Sequence, residues 1–350
     1  MPCEFPLPSD KFRVSKAGDT ELSPSRAALL SSTDTKEIAE DNNEGRTTRR
    51  EYSTANQRRI DRPMNAQNTS HTSSTFRYCF NTSTIRGQKL TLPEIIDLVA
   101  RAGYDAIEPW ISEIDAYVEA GGTLYDLKSR IENSGLTVES AIGFFEWIVD
   151  DETKRAKALE TAARDMDLLA QIGGKRIAAP PMGATNVSNL HLLQAAERYR
   201  ALLEIGDKTG VVPQVEVWGF SQSLNRLGEA ALIAIESGHP DACILADVYH
   251  LYKGGSPVEG LKLVRGAAMH VFHVNDYPAI APAQIKDEDR VYPGDGTAPL
   301  TPIFSSLHEI GFAGYLSLEL FNASYWQQDA ATVVETGLQK MRAAVEQSSQ

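Results

Sequence analysis

From Phe76 onward, short apolar runs alternate with longer amphipathic stretches. The runs are FRYCFN (76–81), YDAIEP (104–109), TVESAIGF (137–144), KRIAAPP (175–181), PQVEVW (213–218), CILADVY (243–249), HVFHVND (270–276) and YLSLELF (315–321). Each has the length of a strand, and their near-continuous apolar character fits strands covered on both faces. Between them, residues 92–102 place Ile95, Ile96, Val99 and Ala100 on one helical face. Residues 154–169, 190–205, 226–237 and 333–345 repeat that pattern. Gly103, Gly135, Gly173, Gly210, Gly238 and Gly311 stand where helices should end, because glycine adopts the left-handed C-cap without a steric penalty.

Strand-then-helix units recurring about eight times, at roughly thirty-residue spacing, specify parallel strands joined by right-handed crossovers. Eight units match a (β/α)₈ TIM barrel. A doubly wound sheet is the alternative, but it announces itself with a glycine-rich phosphate turn after the first strand, and FNTSTIRGQK contains no G-x-G-x-x-G.

The 350 residues carry a net charge of −13, and 42% are hydrophobic, enough for a sizeable core. Residues 1–75 differ from the rest. About a quarter are Ser or Thr, aromatics are scarce, and no apolar period persists, so this segment is expected to be a disordered or non-native extension, with a downstream start at Met64 as one reading. It holds 11 basic and 11 acidic residues, so the whole net charge lies in the predicted barrel, residues 76–350. An acidic domain argues against nucleic-acid or anionic-membrane partners. No apolar stretch approaches membrane-spanning length. Cys3, Cys79 and Cys243 are too few and scattered for a disulfide framework, and the last two read as core residues. A reducing cytoplasm fits; a homo-oligomer is left open.

Catalytic groups in barrels project from the C-terminal strand ends. The last four runs each carry an ionisable residue there: Glu216, Asp247, His273 and Glu319. Burying such groups costs on the order of several kcal/mol each unless they are paired or bound to a cation. One divalent ion would satisfy all four, and an oxygen-rich set with one imidazole suits Mn²⁺ first, with Zn²⁺, Co²⁺ or Mg²⁺ as alternatives. In HVFHVND, strand alternation puts His273 with Val271 and sends His270 to the opposite face with Phe272 and Val274. His273 is therefore the expected ligand and His270 a packing residue. Asn275 and Asp276 follow, placed to orient the ligand or cap the next turn. His250, where the strand gives way to loop, Arg290 in the long segment 277–296, and Trp218 are candidate substrate contacts. Arg290 has a simple ion pair with Asp287 or Glu288 as its alternative role. Phe144, Phe145, Trp147, Tyr325 and Trp326 sit where they could wall a sugar-sized cavity. Glu216 and Glu319 are candidate proton carriers: a cation gripping a carbonyl and its neighbouring hydroxyl acidifies the C–H between them, and a carboxylate on each face can remove and return the proton through an enediolate.

The stretches CFNTST, GYDAIEP, VEVWG, LADVYH, HVFHVND, DEDRVYPGDG and LSLELF resemble the xylose isomerase-like barrel family of sugar isomerases and epimerases, and among its members the inosose isomerases. The likeness spans residues 76–346. It implies metal ligation by Glu216, Asp247, His273 and Glu319, acid/base roles for Glu216 and Glu319, and substrate contacts from His250 and Arg290. The implied substrate is a keto sugar or inosose. A 3-dehydroshikimate dehydratase-like lyase uses a similar metal set and is the second enzymatic reading. A catalytically silent sugar-binding barrel is a third. An abasic-site endonuclease would need further histidines on the early strands, and the first four runs contain none.

Overall fold

The structure, a computed structural model, describes residues 76–348. The expected disordered segment 1–75, with Cys3, lies outside the described residues. Within them, eight parallel strands follow the eight apolar runs: β1 (Arg77–Asn81), β2 (Ala106–Glu108), β3 (Thr137–Val138), β4 (Arg176–Ala179), β5 (Val212–Glu216), β6 (Ile244–Asp247), β7 (Val271–Val274) and β8 (Tyr315–Leu318). Their order, β3-β2-β1-β8-β7-β6-β5-β4, is that of a sheet wrapping on itself. Beyond β3 the backbone closes the ring: Ala141 N donates to Arg176 O (3.1 Å), and Ala178 N donates to Ala141 O (2.9 Å). This is a TIM barrel.

Nine α-helices lie among the described residues. They are α1 (Leu92–Ala102), α2 (Ile111–Glu119), α3 (Leu124–Asn133), α4 (Glu152–Gln171), α5 (Leu192–Thr209), α6 (Leu227–Glu236), α7 (Val248–Gly254), α8 (Leu300–Glu309) and α9 (Ala330–Ser348). Helix α1 shows why these stretches coil. Glu94 accepts the Thr91 backbone N–H (2.8 Å), Pro93 occupies the first turn, and Gly103 ends the helix at φ 88°. Its apolar stripe, Leu92, Ile95, Ile96 and Val99, is buried.

Four helices escape the sequence pattern. Helices α2 and α3 bury only two residues each, Ile111 with Ile114 and Leu127 with Ile131, too few to mark a period. Helix α7 buries Val248 through Leu251 consecutively and so reads as more strand. Helix α8 follows Ala298 and Pro299 without a side-chain N-cap to announce it. The run 243–249 accordingly stops being strand at Asp247, whose carboxylate accepts the His250 backbone N–H (2.8 Å) and caps α7. His250 therefore sits in the first turn of a helix, not in a loop.

Register decides which strand residues meet. Asn81 lies beside Glu108, Asp247 beside His273, and His273 beside Ser317. Alternation then points Asn81, Glu108, Glu216, Asp247, His273 and Ser317 inward at one level near the C-terminal ends. Toward the opposite end, Cys79, Ala106 and Tyr315 fill the lumen, and Ala178, Leu245 and Val271 form another interior cluster. Phe272 and Val274 face outward into the main core between strands and helices. Cys79 and Cys243 are buried free thiols, as expected of core residues.

Candidate metal centre

Asp247, His273 and Glu319 converge although 26 and 46 residues separate them along the chain. Their ligand atoms lie within 4.8 Å of one another, and all three side chains are buried. His273 Nδ1 stands 3.2 Å from Glu319 Oε2 and 3.8 Å from Asp247 Oδ2. Glu216 lies outside that 4.8 Å group but faces the same space, since its carboxyl is acted on by the charges of His273, Glu319 and Asp247.

Burial and charge set the proton affinities. Desolvation raises Glu216 to about 8, partly offset by His273 and the Trp218 indole. Desolvation also raises Asp247, to about 6, against the pull of Arg290. Burial pushes Glu319 the same way, yet His273 and Arg290 together hold it well below the ordinary carboxylate range. Burial disfavours a charged His273, but Glu319 and Glu108 reverse this and raise its proton affinity well above normal. His250, desolvated and beside Arg290, is pushed well below the imidazole range and stays neutral.

The sequence reading stopped at the last four strands and missed Glu108 at the end of β2. Glu108 is fully buried and accepts hydrogen bonds from His273 Nε2 (2.9 Å), Ser317 Oγ (2.7 Å) and Asn81 Nδ2 (3.0 Å). The same strand-end rule that found Glu216 would have found it. Its contact fixes the His273 tautomer. With the Nε2 proton directed to Glu108, Nδ1 is left facing two carboxylates, and it has no hydrogen-bond partner among the described residues. His273 Nδ1, Asp247 Oδ2 and Glu319 Oε2 therefore converge on one spot, where Arg290 Nη1 bonds both oxygens and the imidazole nitrogen is left for a proton or a metal ion. A carboxylate holding the far side of a histidine is the usual support of a metal-bound imidazole. The donor set fits a divalent cation.

The other expected contacts surround this group. Arg290 is fully buried; Nη1 bonds Asp247 (3.0 Å) and Glu319 (2.8 Å), and Nη2 bonds Asp287 (2.5 Å) and meets His250 Nε2 (3.2 Å). The Asp287 ion pair is thus present together with bonds to the two site carboxylates, Asp247 and Glu319. Asn275 Nδ2 donates to Asp247 Oδ2 (3.0 Å), and its Oδ1 accepts from Tyr249 N (3.0 Å), so Asn275 holds the aspartate rather than the His273 it was expected to orient. Asp276 organises the long segment: its carboxylate accepts from the backbone N–H groups of Tyr277, Gly294, Gly296 and Ala298. The segment is thereby pinned over the strand ends.

Trp218, Phe144, Phe220, Trp110 and Phe321 form a chain of ring contacts around the centre, with centroids 5.0–6.4 Å apart. Trp147 is instead a core residue whose indole donates to Pro180 O (2.8 Å), Phe145 is buried in the core, and Tyr325 stacks on Tyr292 at 4.2 Å. Trp326 donates to Ser83 O (3.1 Å). His270 lies at the other mouth of the barrel, lining a hollow of about 330 Å³ with Arg77, Lys175 and Arg176.

Known proteins resemble this chain. The inosose isomerase of Bacillus velezensis is 27% identical over 279 residues, covering 77% of this chain and 97% of that protein. The 3-dehydro-D-guloside 4-epimerase of Escherichia coli is 26% identical over 209 residues, 55% of this chain and 76% of that one. Among solved structures, the IOLI protein with a bound zinc atom superposes with a TM-score of 0.73 at 23% identity, over 78% of this chain and 99% of that one. A family model described as xylose isomerase-like TIM barrel matches residues 96–344. With eight wrapped strands, a buried cluster of candidate metal ligands at their C-terminal ends and that match over most of its length, the chain belongs to the xylose isomerase-like TIM barrel family.

Proposed function

We propose that the protein is a divalent-metal-dependent isomerase or epimerase of keto sugars or inososes. The observation that carries this reading is His273 Nδ1, buried and without a hydrogen-bond partner, aimed at Asp247 and Glu319 while Glu108 takes the proton of Nε2. Asp247, His273 and Glu319 would hold the ion, with Glu216 completing the set; Mn²⁺ is the expected metal. When bound, such an ion polarises a carbonyl and the adjacent hydroxyl of a sugar.

The protein's own groups do the rest. Glu216, desolvated and therefore basic, is suited to accept a proton from carbon. Glu319, kept ionised by Arg290, is suited to take a proton from the other face while a protonated Glu216 delivers one, so that one proton leaves the substrate and one returns in either direction. Neutral His250 can share a proton with a substrate oxygen, and Arg290 keeps Asp247 and Glu319 ionised. The aromatic wall of Trp218 and Phe144 shields the centre from water. Inosose is the favoured substrate class because of the relative that covers most of this chain.

The test is hydrogen exchange from deuterated water, followed by NMR, with the Mn²⁺-loaded protein and a panel of inososes, keto sugars and 3-dehydroshikimate. Deuterium entering beside the carbonyl without net loss of water supports isomerase or epimerase chemistry. Net elimination from 3-dehydroshikimate alone would replace it with the lyase reading.

A further inference from the structure

Two arginines approach the centre, and they differ in what they touch. Arg290 is committed to Asp247, Glu319, Asp287 and His250. Arg86 has no side-chain hydrogen bond or ion pair among the described residues. Its guanidinium carbon lies over the Trp110 ring, 3.5 Å from the centroid, and 5.9 Å from the centroid of Phe321, which Arg290 also approaches at 5.0 Å. Stacking on an aromatic face leaves the in-plane N–H edge of a guanidinium available. The nearest acids do not use it. Glu113 accepts instead from the Thr82 hydroxyl (2.6 Å) and Trp110 N (3.0 Å), and Glu319 bonds Asn81 and Arg290. Both acids nonetheless keep Arg86 charged against its partial burial.

The backbone presents this group rigidly. Arg86 belongs to a 3₁₀ turn, Thr82–Gln88, that leaves the C-terminal end of β1. Trp326 and Gln88 tie the turn to the segment after β8 through Ser83 O, Tyr325 O and Gln328 O. Gly87 packs so closely on Trp326 that a Cβ there would collide with that side chain. Lys89 closes the turn at φ 55°, its N–H on Arg86 O (3.2 Å). A cation with unused donors, fixed in place beside the candidate metal centre, has the form of an anion-recognition element.

We infer that Arg86 selects substrates bearing an anionic oxygen group, a carboxylate or a phosphate, which docks against the free edge of its guanidinium. The inference rests on the keto-sugar reading and sets aside the inosose preference within it, because inososes are neutral and Arg86 favours keto sugars that carry an acidic group. A planar carboxylate matches the two-pronged edge, and a phosphate offers the same paired oxygens.

Matched probes test it: D-fructose, D-fructuronate and D-fructose 6-phosphate, titrated calorimetrically into the full-length Mn²⁺-loaded protein. One of the two anions should bind on the order of tenfold or more tightly than fructose, as expected for a charge-assisted contact; whichever anion leads identifies the group. In Arg86→Met the ratio should fall toward one, and Arg86→Lys, a point charge without the fork, should restore part of it. Equal dissociation constants for the three sugars, or an anion preference that persists in Arg86→Met protein with wild-type melting temperature, would overturn the inference. Should Arg86→Met fail to fold, Arg86→Gln serves, and the wild-type ratio decides by itself. Absence of solvent exchange with all three sugars would instead sink the isomerase reading while leaving the binding ratio to judge Arg86.

Discussion

At the scale of residues, the account turns on His273 and the two acids on either side of its ring. Glu108 holds Nε2, and Glu319 faces Nδ1. Replacing Glu108 by Gln keeps the shape but lets the amide offer its own N–H to Nε2, which favours the tautomer whose proton sits on Nδ1. Mn²⁺ affinity should then fall about 10- to 100-fold, the usual effect of losing such a supporting contact. Calorimetric titration checks it, and an unchanged dissociation constant would show that Glu108 is only a packing acid. Glu319→Gln should abolish turnover, by at least about 100-fold, if Glu319 carries a proton. Its circular dichroism should stay that of the wild type, and normal turnover would remove Glu319 from the mechanism. The sequence made Asp247, His273 and Glu319 visible because each is an ionisable residue in an apolar run. Glu108, at the end of its own apolar run, was equally visible as a strand-end acid; only its partner, His273, 165 residues away in the chain, was not.

At the scale of elements, strands were legible and short helices were not. A strand covered on both faces is apolar throughout, so its composition alone marks it. Helices α2 and α3, with two buried residues each, leave no such mark. Helix α7 imitates a strand because all four of its first residues are buried. Helix-to-strand attachment depends on single polar contacts that no periodicity reveals. The Tyr199 hydroxyl on α5 donates to Pro213 O (2.8 Å) or Cys243 O (3.1 Å) and accepts from Cys243 N (3.2 Å), fastening α5 to β5 and to the entry of β6. Tyr199→Phe leaves these buried backbone groups short of a partner and should cost about 1–3 kcal/mol. Urea denaturation measures this; a loss below about 0.5 kcal/mol would show that the strands are held without it.

At the scale of the whole molecule, the described residues contain all eight strands, from Arg77 to Leu318. Deleting residues 1–63 should therefore leave both melting temperature and turnover unchanged, and a large drop in either would show that the barrel needs that segment. The barrel topology followed from the spacing of the apolar runs. What spacing could not convey was the level at which strand ends align, which the register of β6, β7 and β8 supplies by setting Asp247 beside His273 and His273 beside Ser317. That alignment is the physical basis of the proposed activity. It is tested most directly by titrating Mn²⁺ into chelator-treated protein and following the bound ion by electron paramagnetic resonance. One ion per chain should bind, with nitrogen hyperfine coupling from a single histidine that disappears in His273→Gln, and turnover should return with it. Binding that keeps its nitrogen coupling in His273→Gln, or full turnover without any divalent ion, would contradict the account.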